Sequence, residues 1–262
     1  MPPESEARLD QARESSGDEL KSIIAKAGEE ILLAALENPH LEEAHVTLLL
    51  DRLDLSANVL SAIAAQAKWN ANEGVRLRLA RHPRTPKRIA LAAVRQLYLF
   101  DLVRLSLSPS APADIRRVAE EVILTRVGHI PVGEKLTLAR RGPARVAGAL
   151  LAEGHPQAVK LALDNAYLTE SQVLKALAKQ GVPERAVAAI SQHRKWSCQY
   201  NVRMALVRHP HTPPSSVLAF LPLLSRRDLQ ELVAMPDLAL HLRRHIAREL
   251  ARRAGESSGG KS

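Results

Sequence analysis

The chain matches itself at one offset. Shifted by 127 positions, residues 31–123 fall on residues 158–250 without a gap, and 28 of the 93 pairs are identical. A bias towards Leu and Ala alone gives well under half of that agreement. Lys68-Trp69 meets Lys195-Trp196, and Val75-Arg76 meets Val202-Arg203. Arg81-His82-Pro83 with Thr85-Pro86 meets Arg208-His209-Pro210 with Thr212-Pro213. Asp101-Leu102 pairs with Asp228-Leu229, Pro109 with Pro236, and Arg116-Arg117 with Arg243-Arg244. A block of the chain is duplicated, so its fold must accommodate the same architecture twice.

A finer period runs inside the block. Segments such as LARHPRTPKRIALAAV and LVRHPHTPPSSVLAFL hold an apolar helical stretch, a break, and a second apolar helical stretch. They recur every ~30 residues, the spacing of helix-pair repeats. Pro83 and Pro210 mark the break, because the ring lacks an N–H and clashes with the preceding turn. Thr85 and Thr212 are expected as N-caps, with Pro86 and Pro213 at the first helical position. Apolar residues then return at helical spacing, as Ile89, Ala92, Ala93 and Val94, or Val217, Phe220, Leu221 and Leu224.

One such pair cannot bury its apolar face alone, whereas stacked pairs form a continuous core. The expected fold is all-α: a right-handed α-solenoid of about seven helix pairs, roughly fourteen helices. Only 3% of residues are aromatic, which argues against a β-sandwich or barrel. The solenoid is expected as a single body over residues 19–253, with a mobile acidic tail at 1–18 and a flexible tail at 254–262.

The motif Val-Arg-x-x-Leu-x-Arg-His-Pro-x-Thr-Pro, at residues 75–86 and 202–213, resembles the leucine-rich-repeat-variant and HEAT-like repeats of bacterial proteins. The resemblance covers most of residues 31–253. It implies a helical solenoid and specifies no activity. Some leucine-rich-repeat-variant proteins carry a cysteine-rich cluster-binding segment. This chain has one cysteine, Cys198, so that feature does not carry over.

The cysteine count also excludes an internal disulfide framework, and no cofactor or metal is expected. The longest apolar runs, such as Ile31 to Leu36, are far too short for a membrane span. Taken together, these features predict a cytoplasmic protein. The net charge is +9, unevenly spread: residues 1–30 hold four Lys/Arg against eight Asp/Glu, so the remainder carries +13. So basic a body attracts polyanions, whether nucleic acid, acidic protein surfaces or anionic lipid headgroups.

Residues shared by both copies read first as structure. Trp69 and Trp196 suit packing between helices, with base stacking as the alternative. Arg76 and Arg203 suit bonds to carbonyls of an adjacent repeat, and His82 and His209 suit capping or bridging in the turn. Cys198, opposite Ala71, reads as a small packing residue. His241 and His245 share a helix face but lack the glutamate of a His-Glu-x-x-His motif and an evident third ligand.

Function is better sought where the copies differ. Between Arg76 and Arg88 lie Arg78, Arg81, Arg84, Lys87 and Arg88 with no acidic residue. The second copy has Ala205, His211, Pro214 and Ser215 at positions 78, 84, 87 and 88. Lys87 and Arg88 at a helix start would form an anion site. In a solenoid, Arg116, Arg117, Arg140 and Arg141 could extend the patch; the alternative is a solvated face serving solubility.

Within residues 19–253 no Gly-x-Ser-x-Gly elbow, phosphate-binding glycine loop or Gly-x-Gly-x-x-Gly motif is present. The function expected is that of a non-enzymatic repeat scaffold holding an acidic protein partner on its basic surface. The alternative is nucleic-acid binding, including a relation to the HEAT-like alkylpurine DNA glycosylases. That chemistry wants an acidic residue beside aromatic side chains, and no residue here matches it. Oligomeric state is open.

Overall fold

The computed structural model describes residues 3–236 and 240–259, and twenty α-helices with no strand among them. They divide into two compact units, residues 1–128 and 129–262. The first contains α1 (Pro3–Glu14), α2 (Gly17–Lys26), α3 (Glu29–Ala35), α4 (Glu43–Leu50) and α5 (Ala57–Ala65). It continues with α6 (Ala67–Ala71), α7 (Glu73–Arg81), α8 (Lys87–Gln96), α9 (Leu99–Leu107) and α10 (Ala113–Arg126).

The second unit contains α11 (Val132–Arg141), α12 (Ala144–Glu153), α13 (Pro156–Leu163), α14 (Glu170–Ala178) and α15 (Glu184–Gln192). After these come α16 (Arg194–Ser197), α17 (Tyr200–Arg208), α18 (Pro214–Phe220), α19 (Arg226–Ala234) and α20 (Leu240–Gly259). Adding 127 to the bounds of α2, α5, α7 and α9 gives those of α12, α15, α17 and α19. The duplication therefore embraces ten helices and begins near the start of the chain.

Two expectations change accordingly. Residues 3–14 are not a tail: they form α1, which packs against α3, buries Ala12 fully and is the counterpart of α11. The helix escaped notice because it buries so little, with Ala12 inside and Leu9 half-buried in an otherwise polar stretch. At the other end α20 runs to Gly259, well into the segment expected to be flexible. The helix count exceeds fourteen because α1 and α2 precede the first expected pair, and α5, α6, α15 and α16 stand between the expected pairs.

Within each unit a helix packs against near neighbours: α1 on α3, α2 on α4, α4 on α7 and α8 on α10, as α11 on α13, α12 on α14 and α14 on α17. The buried surfaces are aliphatic, with Leu20, Ile24, Leu60, Ile63, Leu79 and Leu102 among the fully covered side chains. Proline sets many helix starts. Pro86, Pro112, Pro131, Pro143, Pro183 and Pro213 each stand at an N-cap. There the fixed φ fits and no N–H is lost from the helix, while the carbonyl accepts the first bonds. Ile89 and Ala90 both donate to the Pro86 carbonyl.

Pro86 and Pro213 thus occupy the N-cap, and neither Thr85 nor Thr212 caps its helix. Thr212 Oγ1 donates back to the Leu206 carbonyl, while the buried Thr85 hydroxyl has no partner among the described residues. A further proline separates the copies. Pro222 stands where α8 has Arg95, and α18 ends at Phe220 in a 3-10 turn, Leu221–Leu223. No helix among the described residues is long and apolar enough to cross a membrane.

Candidate functional site

Trp69, Arg76 and His82, with their counterparts Trp196, Arg203 and His209, are consumed by the frame. The Trp69 and Trp196 rings are each 3% exposed, with Lys68 Nζ at 4.4 Å and Lys195 Nζ at 4.3 Å from the ring centroid. Neither ring offers a face for a base to stack on. Arg76 donates to the Asn70 carbonyl and Arg203 to the Ser197 carbonyl, six residues upstream in each case, so these bonds are local. His82 accepts from the Arg84 N–H at Nδ1 and reaches the Arg52 carbonyl with Nε2 at 2.8 Å, and His209 accepts from the His211 N–H. Burial, then the neighbouring His211, holds the His209 pKa below its usual value. Cys198 is exposed, not a packing residue, and its counterpart Ala71 is exposed too. The side chain of His241 lies outside the described residues, among which no cluster of three or more metal-ligating side chains occurs.

A groove of about 710 Å³ opens in the first unit, where α4, α7 and α9 bring their C-terminal ends together. Leu50, Leu53, Leu77 and Leu105 supply its apolar lining. Leu53 is unusually bare, at 67% exposure. Arg78 and Arg81 from the last turn of α7 and Arg104 from the last turn of α9 supply cationic groups. Each opposes the negative end of its helix dipole, which makes those positions comfortable for a cation.

These arginines are not equally engaged. Arg78 Nε lies 3.4 Å from Asp51, a groove residue, and its Nη1 reaches the Gly74 carbonyl. Arg104 pairs with Asp101 one turn earlier at 3.0 Å, on a side chain 76% exposed. Arg81 donates to the Ser110 hydroxyl and has no carboxylate partner among the described residues. Exposed pairs of this kind are worth at most about 1 kcal/mol, so Arg78 and Arg104 exchange partners at little cost.

The rest of the expected patch disperses. Arg84 donates to the Asp54 carbonyl, and Arg52 grips the Asp54 carboxylate with two nitrogens. Those hydrogen bonds lower the Asp54 pKa to about 2. Lys87 meets Asp114 at 2.9 Å, so the charge at the start of α8 is answered by the chain's own carboxylate, whose pKa falls chiefly through that bond. Arg88 is exposed beside it. Arg117 lies 4.0 Å from Glu121, and the Arg116 Nε is buried without a partner among the described residues. Arg140 and Arg141 are exposed in the last turn of α11, in the second unit. The thirteen-residue run looked purely basic because its acidic partners, Asp51, Asp54 and Asp114, sit about one repeat away in sequence.

Arg104 escaped the sequence reading, although a signal for it exists. Its counterpart in the second copy is Glu231, which lies 3.9 Å from Arg208, the counterpart of Arg81. An arginine pair in one copy is an ion pair in the other. Likewise Arg78 corresponds to Ala205, Asp51 to Ala178 and Leu53 to Gln180. Charge differs at the level of whole units as well: the first holds 17 Lys/Arg and 18 Asp/Glu, the second 20 and 10. The groove contains Asp51 but no Phe, Tyr or Trp, unlike the acidic-and-aromatic site a base-excising enzyme needs. No protein-family model, curated protein or solved structure matches this chain.

Proposed function

We propose that this chain is a non-catalytic α-solenoid scaffold of the HEAT-like or leucine-rich-repeat-variant kind, which binds an acidic macromolecular partner. One observation carries the reading. Of the residues the copies share, Trp69 is buried and Arg76 and His82 are engaged by the chain's own carbonyls. The basic residues by which they differ, Arg78, Arg84, Lys87, Arg88 and Arg104, lie at the surface or line the groove. Change has spared the frame and altered surface charge, as suits a protein whose work is recognition. Charge of this kind steers an acidic partner and fixes its register more than it adds raw affinity.

Nucleic acid is the second reading, favoured by the twofold excess of basic over acidic residues in the second unit. One titration separates the two. Labelled poly-glutamate and a labelled mixed-sequence DNA duplex are each titrated with the full chain, and anisotropy is followed at about 50 and about 200 mM salt. Tighter binding of poly-glutamate than of the duplex is expected. A duplex that binds more tightly and is lost steeply with salt would establish the phosphate-reading alternative. No binding of either at the lower salt would remove both.

A further inference from the structure

We infer that the groove between α4, α7 and α9 is the docking site for an acidic peptide segment that carries apolar side chains, contributed by a protein partner. This rests on the acidic-partner reading and narrows it to one place and one ligand chemistry.

The groove sets apolar side chains beside cationic ones at a single opening. Leu53 stands 67% exposed and Leu77 is half-covered, with Leu50 and Leu105 beneath. Apolar area of that kind gains by being covered. Arg81 and Arg104 stand at the same opening, and a guanidinium presents two parallel N–H donors that fit a carboxylate. A leucine laid over Leu53 and Leu77, with carboxylates on Arg81 and Arg104, satisfies both. Nucleic acid fits less well. The lining offers no Phe, Tyr or Trp as a platform for a base, and its one imidazole, His82, is buried.

The second unit supplies an internal control. Its residues at the corresponding positions are Gln180 for Leu53, Ala205 for Arg78 and Glu231 for Arg104. The exposed leucine is gone, one arginine is gone, and the other has become a carboxylate held against Arg208. Because Leu79 and Leu102, buried beneath, remain leucine as Leu206 and Leu229, the frame has stayed while the recognition groups changed. The groove is therefore a feature of the first unit's chemistry and no by-product of the duplicated architecture.

The test transplants those residues. A labelled short peptide with leucines set among aspartates is titrated with the full chain by anisotropy, beside a control with serines for the leucines. The same titrations are run on the triple variant Leu53→Gln/Arg78→Ala/Arg104→Glu, whose side chains the fold already accepts in its second copy, and on Arg104→Glu alone. The serine control should bind the wild-type chain at least about tenfold more weakly, as expected for burying even one leucine. The triple variant should lose at least about tenfold in affinity for the leucine peptide, and Arg104→Glu alone a measurable part of it, at unchanged helix content.

Unchanged affinity in the triple variant would overturn the assignment. If poly-glutamate still bound the wild-type chain, the acidic-partner reading would survive and its site would lie elsewhere. Equal binding of the leucine and serine peptides would reduce the groove to a charge contact and overturn its apolar half. If no acidic probe bound the wild-type chain, both readings would fall together.

Discussion

Asn38 and Asn165, 127 positions apart, make the same three hydrogen bonds. Asn38 Nδ2 donates to the Ala12 carbonyl at 2.9 Å and the Ser15 carbonyl at 2.8 Å, while its Oδ1 accepts from the His40 N–H. Asn165 Nδ2 donates to the Ala139 carbonyl at 2.8 Å and the Gly142 carbonyl at 3.0 Å, while its Oδ1 accepts from the Tyr167 N–H. Both amides are buried, and each clamps the end of its unit's first helix to the turn after the third. This pair ties α1 to α11 more directly than the sequence of either helix does.

Replacing Asn38 or Asn165 with alanine should therefore destabilise the corresponding unit. Each change strands two carbonyls and an N–H, and a cost of about 2–3 kcal/mol is expected from buried groups left unpaired. Aspartate should be no better, since an ionised carboxylate cannot donate to the two carbonyls. Urea unfolding of each variant measures this. An unchanged midpoint would mean that water replaces the amide without loss.

The matched tryptophans differ in one bond, which gives a second prediction. Trp196 Nε1 donates to the Leu163 carbonyl at 2.9 Å. The equivalent carbonyl in the first unit, on Leu36, is already taken by Gln66 Nε2 at 3.0 Å, and Trp69 Nε1 has no partner among the described residues. Phenylalanine removes similar volume at both sites but a hydrogen bond at one alone. Trp196→Phe should cost about 1 kcal/mol more than Trp69→Phe by urea unfolding. Equal losses would show that the indole N–H contributes nothing at either site.

Helix periodicity and the breaks at Pro83 and Pro210 were legible because proline and apolar spacing act locally. The all-helical class followed from them. The first thirty residues were not legible as the start of the duplicated unit, since Asp10, Glu14 and Asp18 stand where the second copy has Thr137, Arg141 and Arg145. The copies there keep a buried frame, Ala12 and Ala139, under opposite surface charge. Half of the groove was legible: Arg78 and Arg81 emerged from a run of like charge, but Leu53, Asp51 and Arg104 join them only through tertiary packing. A basic run shows nothing of the carboxylates that neighbouring turns bring to it.

The ends of α2 and α12 are closed by different means, and this predicts unequal tolerance of side chains. Arg52 Nη1 holds the Ile24 and Ala27 carbonyls in the first unit. In the second, Gly154 takes the left-handed conformation at φ 79° and its carbonyl accepts from Arg185. A Cβ on Gly154 would lie 2.4 Å from Pro183 Cγ, whereas one on Gly181, at φ 73°, meets nothing within 4 Å. Gly181→Ala should cost only the conformational strain, about 1 kcal/mol. Gly154→Ala adds a clash with a rigid ring and should cost clearly more. Thermal unfolding of the two variants ranks them, and the reverse order would contradict the packing of Pro183.

Acid should weaken the second unit through Glu249. Its carboxylate bonds both Arg252 and Arg253, at 2.7 and 2.8 Å, and is only 12% exposed. Arg253 in turn holds the Leu224 and Pro222 carbonyls. The bond from Arg252 first, and then that from Arg253, lowers the Glu249 pKa from 4.5 to about 2. Between those values the folded chain binds fewer protons than the unfolded chain, so stability rises with pH. The contribution is complete above about pH 4.5 and disappears as the pH falls through about 2. Asp54, lowered from 3.8 to about 2 by Arg52, acts in the same direction in the first unit, so Glu249→Gln should flatten only part of the acid slope. Thermal midpoints followed by circular dichroism across this pH range test it: Glu249→Gln should lie below wild type near neutrality and converge with it at the acid end. Parallel curves for the two proteins would show that Glu249 titrates alike in the folded and unfolded chain.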